Sequence, residues 1–164
     1  LEDCRVPGGC LLGEEGDGFV QSMKILDGGR ISIAALSLGI ARGALDAALE
    51  YSTVREQFGR QLSSFQAIRH KLADMGTEVE AARLLTYQAA YRKSKGGRFS
   101  KYSAMAKLFA SEVATRTANR ALQIHGGYGY TKEYPVEKLL RDARASMIED
   151  GCNDILSLAG AERL

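Results

Sequence analysis

Between residues 65 and 82 the apolar side chains fall at Phe65, Ile68, Leu72, Met75, Val79 and Ala82, in alternating steps of three and four. Only an α-helix brings positions so spaced onto one face. A single stripe of this width suits antiparallel packing against neighbouring helices at a shallow angle. Ser63 or Ser64 stands where an N-cap would accept the first free backbone amides. The pattern runs to about Arg92, and Lys95-Gly96-Gly97 reads as a turn.

The same reading extends in both directions. From about Phe19 to Val54, Ile25, Leu26, Ile33, Leu36, Ile40 and Leu45 recur at helical steps among many small residues. Such a helix packs closely and is buried on more than one side. Gly59 is the hinge that separates it from the next. A third long helix covers Ser100 to Ile124, with Met105, Leu108, Phe109, Val113 and Leu122 as core candidates. Pro135 stands at the first turn of a shorter helix striped by Val136, Leu139, Leu140 and Ala143. Gly151 interrupts, and a last helix from Asn153 carries Ile155, Leu156, Leu158 and Ala159. The expected fold is all-α: an up-and-down four-helix bundle with a C-terminal helical extension, over residues 17–164. Residues 1–16, with Val6-Pro7 and Leu11-Leu12, read instead as a strand end and loop, the tail of a preceding β domain. The first residue is Leu1 rather than Met, so the chain is expected to be a piece of something longer.

Charge narrows the partners. Lys plus Arg number 22 against 20 Asp plus Glu, a net charge of +2, so no broad basic field invites nucleic acid or anionic membrane. No uncharged apolar run approaches the ~20 residues of a membrane span, and the acidic start does not resemble a signal peptide. Cys4, Cys10 and Cys152 have neither an even count nor metal-ligand spacing, and read as free thiols.

Few groups are available for chemistry. With two histidines, no serine-protease-like triad arises. His70 sits between Arg69 and Lys71 on a solvated face. His125 either packs as a structural histidine or faces a ligand. Its segment, Gln123-Ile124-His125-Gly126-Gly127, ends a helix with glycines that cap it and leave room for a ligand against the backbone. Asp27 and Arg30, one turn apart, form an ion pair or a binding pair. Arg55, Phe58 and Gln66 surround the first inter-helix turn, where an arginine beside an aromatic ring can hold a pyrophosphate and cover a base. Glu149-Asp150-Gly151-Cys152-Asn153-Asp154 places carboxylates at the mouth of a helix, a general base beside an anion site.

In order along the chain, R-x-x-F-G, F-Q-A-I-R-H-K-L-A-D-M, Q-I-H-G-G-Y-G-Y and E-Y-P-V-E-K-L-L-R-D-A-R resemble the C-terminal domain of the acyl-CoA dehydrogenases, and the opening V-P and L-L-G-E-E-G-D-G-F resemble the link from that family's β domain. The resemblance implies an FAD enzyme that removes an α-hydrogen of an acyl-CoA as a proton and a β-hydrogen as a hydride. Electrons would leave to an electron-transferring flavoprotein, and the full-length subunit would form a homo-oligomer, usually a tetramer. The compartment implied is the cytoplasm in a bacterium or the mitochondrial matrix in a eukaryote. Arg55, Phe58 and Gln66, with Gln123, Ile124, His125, Gly126 and Gly127, match residues that hold the FAD of a neighbouring subunit. Cys152, Asn153 and Asp154 match contacts to the subunit's own flavin. Asp27, Arg30 and Gly151 match acyl-CoA contacts, and no metal is implied.

The departure from the family pattern is at the base. Where many relatives have Glu before that glycine, this chain has Asp150, one methylene shorter. The alternative family position for a Glu, just before Arg30, is Gly29 here. Asp150 is therefore the expected base. The change also leaves open a same-fold flavoprotein with oxidase-like chemistry, or a bundle that serves assembly alone. The isolated chain is expected to be inactive.

Overall fold

The computed structural model describes residues 2–161. Five helices follow one another: α1, Gly18–Val54; α2, Gln66–Ser94; α3, Ser100–His125; α4, Val136–Ser146; and α5, Asn153–Ala161. The first three are the long rods of an up-and-down bundle, α4 is its short fourth member, and α5 is the extension. A two-residue hairpin, β1 (Glu56–Gln57) and β2 (Arg60–Gln61), projects between α1 and α2. Phe58 and Gly59 turn it with φ of 54° and 75°, the pair of positive values that a tight hairpin requires.

The helices fall where the periodicity predicts, but the core is built differently. It is an alanine seam: Ala34, Ala41, Ala44 and Ala48 of α1 meet Ala106, Ala110, Ala114, Ala118 and Ala121 of α3, all fully buried. Small side chains let the two backbones approach closely, and the larger Met75, Val79, Val113 and Val136 fill the flanks. That close approach leaves no room for Ile25, Leu36 and Met105, expected core residues that stand exposed instead. Ile155 and Leu158 of α5 are also exposed, and Leu156 is buried. Ala159 lies outside the described side chains.

Ser64 is not the N-cap of α2. Its hydroxyl donates back to the Gln61 carbonyl at 2.7 Å, closing a short 3-10 turn over Leu62–Ser64, and Phe65 takes the cap position. Among the described residues the segment ahead of α1 holds a 3-10 turn, Gly8–Cys10, and no strand. A lone strand would find no ladder partner there.

By length and composition α1 passes the test for a membrane-crossing helix, with a mean hydropathy of 1.4 in its most apolar stretch. That departs from the sequence reading. In the bundle α1 buries its small-residue face against α3, and it carries the Arg42–Asp46 ion pair at 2.8 Å on its outer face. The buried face accounts for part of its apolar character.

Candidate functional site

The residues singled out in the sequence gather at the two ends of α1. The first group is at its N-terminal end. Arg30 Nη1 meets Asp27 Oδ1 at 2.6 Å, and the hydroxyl of Ser100 donates to the other oxygen of Asp27. Arg30 Nε reaches across to the Asp150 carbonyl at 3.4 Å. The ion pair that looked local in sequence therefore ties α1 to the turn between α4 and α5.

That turn is forced. Asp150 has φ of 50° and Gly151 has φ of 100°. Aspartate tolerates the left-handed region better than most residues other than glycine. This accounts for a short carboxylate at this position. The half-buried Asp150 side chain lies against α1, and a Cβ added at Gly29 would collide with its Oδ2 and stand 3.3 Å from its Cγ. Gly29 is thus the floor on which the carboxylate rests. Among the described residues no hydrogen bond or ion pair reaches the Asp150 carboxylate oxygens, so they keep their proton-accepting capacity. Glu149, next to it, is exposed.

Below the turn is a residue that sequence reasoning missed. Lys107 of α3 is fully buried, and its ammonium donates to the Met147 carbonyl (3.2 Å), the Gly151 carbonyl (2.8 Å) and Asn153 Oδ1 (2.9 Å). Burial holds its pKa below the ordinary lysine value, against the opposing influence of Cys152 and Asp150. Its signal was available: Ser103, Ala106, Ala110 and Ala114 mark the buried face of α3, and Lys107 falls on that face. The side chain of Asn153, expected to contact a cofactor, is turned into the bundle. Its amide nitrogen donates to Ser111 Oγ at 3.0 Å, its backbone N–H to the Met147 carbonyl at 3.0 Å, and its own carbonyl accepts from Ser157 at 2.9 Å. Every polar group of Asn153 is engaged inside the bundle. Cys152 is half-buried, and Asp154 is exposed.

The second group is at the other end of α1. Tyr51, Arg55, Gln57, Leu62, Ile124, His125, Gly126, Gly127, Tyr128 and Thr131 enclose a cavity of about 480 Å³. Gly126 has φ of 63°, ends α3, and has open space where a Cβ would be. Arg55 lies with its guanidinium 5.4 Å from the Tyr128 ring centre. A second cavity of about 590 Å³ opens on the other side of Tyr51, Arg55, His125 and Tyr128, toward Tyr134 and Glu50. His125 is buried and stacked on Tyr51, ring centres 4.1 Å apart. Its Nδ1 stands 2.8 Å from the Ala121 carbonyl. A carbonyl only accepts, so Nδ1 carries the proton and Nε2 is left as an acceptor. Burial lowers its pKa, which favours the neutral ring, and the Ala121 bond offsets part of that. Arg55, Ile124, His125, Gly126 and Gly127 therefore share one cavity wall. Phe58 is 92% exposed on the hairpin tip, and Gln123 and Gln66 are exposed beside it rather than in it. Gln66 lines a separate depression with Arg69 and the exposed His70. Tyr51, Tyr128 and Tyr134 also line these cavities: Tyr128 and Tyr134 stood inside the sequence motifs without being singled out, and Tyr51, alone on α1, carried no spacing signal.

The lining suits a dinucleotide's phosphate end: an arginine presents a cation beside aromatic rings, and the helix-ending glycines leave room for a ligand to come close to the backbone. Among the described residues no three His, Cys, Asp or Glu side chains cluster as metal ligands.

The family model for the acyl-CoA dehydrogenase C-terminal domain matches residues 16–164. The chain belongs to the acyl-CoA dehydrogenase family. It is 55% identical over its whole length to the probable acyl-CoA dehydrogenase YngJ of Bacillus subtilis, of which it covers 43%. Among solved structures it superposes on butyryl-CoA dehydrogenase from Megasphaera elsdenii with a TM-score of 0.95 and 49% identity, over 96% of this chain and 41% of that one. It superposes also on a chain in the structure of the electron transferring flavoprotein of Acidaminococcus fermentans, with a TM-score of 0.97 and 51% identity, over 99% of this chain and 43% of that one. The chain thus spans about two fifths of the length of the acyl-CoA dehydrogenase relatives it matches.

Proposed function

We propose that the chain is the helical part of an FAD-dependent acyl-CoA dehydrogenase that introduces an α,β double bond into an acyl-CoA thioester, with Asp150 as the base. The observation that carries this is the carboxylate of Asp150, held over Gly29, with Arg30 on its backbone carbonyl and, among the described residues, no hydrogen bond to its carboxylate oxygens. A half-buried carboxylate with its lone pairs unspent is suited to accept a proton from a substrate held beside it. Arg30, neutralised by Asp27, orients the turn. Gly151, packed against Leu156 and Arg30, would contact the thioester through its backbone. Bound FAD would supply the hydride acceptor for the β-carbon.

The two ends of α1 serve different cofactor molecules in this reading. Arg30 and Arg55 stand about 37 Å apart along the helix, at 1.5 Å per residue. One dinucleotide does not reach from one to the other. Arg55, Gly126 and Gly127, with Phe58 and Gln66 on the flank, would hold the phosphate end of a neighbouring subunit's FAD, while the Asp150 end faces the subunit's own. This makes a homo-oligomer part of the site. Residues 1–16 are the end of a preceding domain, which supplies the rest. An electron-transferring flavoprotein is the proposed acceptor, supported by the match to a chain in such a flavoprotein's structure.

The test is anaerobic bleaching of the flavin in the full-length protein by a panel of acyl-CoA thioesters. Wild type should bleach with at least one of them, and Asp150→Asn with none. Bleaching of Asp150→Asn at the wild-type rate would show that the base lies elsewhere.

A further inference from the structure

A buried ammonium is tolerated only when its donors are all used. Lys107 uses all three, and the acceptors are not scattered. They are the Met147 carbonyl just past α4, the Gly151 carbonyl directly after Asp150, and Asn153 Oδ1 at the start of α5. One cation thus grips the chain on both sides of Asp150, a residue whose backbone is already in the sparsely populated positive-φ region. Asn153 is itself braced by Ser111, one turn further along α3. Without the grip, the Gly151 carbonyl would lose its Lys107 partner and the Met147 carbonyl would keep only the Asn153 N–H, so the turn would be freer to relax away from α3. Relaxation there moves the carboxylate relative to Gly29.

We infer that Lys107 is a positioning residue for proton abstraction, fixing the 147–153 turn so that the Asp150 carboxylate stays seated over Gly29. The inference rests on Asp150 being the base. The charged and titratable groups around Lys107 are Arg30 from α1 and Glu149, Asp150 and Cys152 from the turn.

The experiment uses full-length, FAD-loaded protein and single-turnover bleaching as a function of the concentration of a substrate acyl-CoA, with Lys107→Met, Lys107→Arg, Asn153→Ala and Asp150→Asn in parallel. Lys107→Met keeps the length of the side chain and removes the cation. Its plateau rate should fall between about tenfold and a hundredfold, as an ångström-scale displacement of a reacting group does. Substrate affinity should change little, so the loss falls on the rate of bleaching rather than on binding, and Lys107→Arg, which keeps a cation able to donate to the same carbonyls, should recover part of the rate. A plateau rate within about twofold of wild type, or a slower rate matched by an equal loss of substrate affinity, would overturn the inference and leave Lys107 a scaffold residue. If Lys107→Met does not fold, Asn153→Ala decides: it keeps the cation but removes one tether. Its rate should fall several-fold with substrate affinity unchanged, and a wild-type rate would refute the inference. If Asp150→Asn still bleaches, the base assignment fails and the role of Lys107 falls with it. If Asp150→Asn is dead while Lys107→Met behaves as wild type, the Lys107 inference alone fails.

Discussion

Replacing Gly29 by alanine should separate stability from activity more cleanly than any other single change in this chain. Gly29 lies inside α1, where a glycine is destabilising by roughly 0.5–1 kcal/mol relative to alanine. On helix propensity alone, Gly29→Ala should raise the melting temperature slightly. The new methyl, however, enters the space of the Asp150 carboxylate, overlapping Oδ2 and standing 3.3 Å from Cγ. The backbone of Asp150 cannot retreat easily, because Arg30 holds its carbonyl and Lys107 holds the next one. The side chain must rotate instead, and restoring an ordinary contact distance moves the oxygen by about 1 Å. A misplacement of that size is worth on the order of a hundredfold in rate, or about 2.7 kcal/mol at 1.36 kcal/mol per decade. The assay is stopped-flow anaerobic reduction of the flavin in the full-length protein, beside a thermal melt. Bleaching within about threefold of wild type would refute the claim that the carboxylate works where the structure places it. A large drop in melting temperature would refute the claim that only the carboxylate resists the methyl.

Two further outcomes follow from the other end of α1. Arg55→Ala should weaken FAD retention by the full-length protein roughly 10- to 100-fold, the worth of one hydrogen bond to a charged group of about 1.5–3 kcal/mol; fluorescence of FAD released on dilution measures it, and unchanged retention would exclude Arg55 as a phosphate ligand. His125 has a folded-state pKa below its ordinary 6.5, so above that value the ring is neutral in both states and imposes no penalty. As pH falls below 6.5 the unfolded chain takes the proton first, and stability declines until the folded pKa is passed. His125→Phe keeps the stack on Tyr51 and should flatten the melting temperature across this acid window; an unchanged slope in the variant would assign the pH dependence to other groups.

The helices were legible because their apolar residues repeat at the helical period, and that signal needs no knowledge of partners. The register of the core was not. Ile25, Leu36 and Met105 look like core residues by hydrophobicity, yet the interior went to alanines, whose burial contributes little to any hydrophobic count. Which face of a helix is innermost depends on how closely two backbones approach, a property of the pair rather than of either sequence. The candidate site was legible where several unusual residues stood together, as at 123–127 and 149–154. Lys107 was not, because a lysine inside a helix reads as a solvated surface residue unless the face it occupies is known. The internal bonds of Asn153 were not legible either, because its position in a site motif said nothing of where its side chain would be spent.

The continuous helix from Gly18 to Val54 has a consequence for how the protein can change over time. Because both half-sites hang on one unbroken rod, its residue count acts as a ruler between them. Inserting or deleting a single residue between Arg30 and Arg55 would rotate one half-site against the other by about 100° and shift it by about 1.5 Å. Neither half could absorb that without losing its partners on α3. Substitutions along the outer face are open to this chain, while length changes in that interval are closed to it.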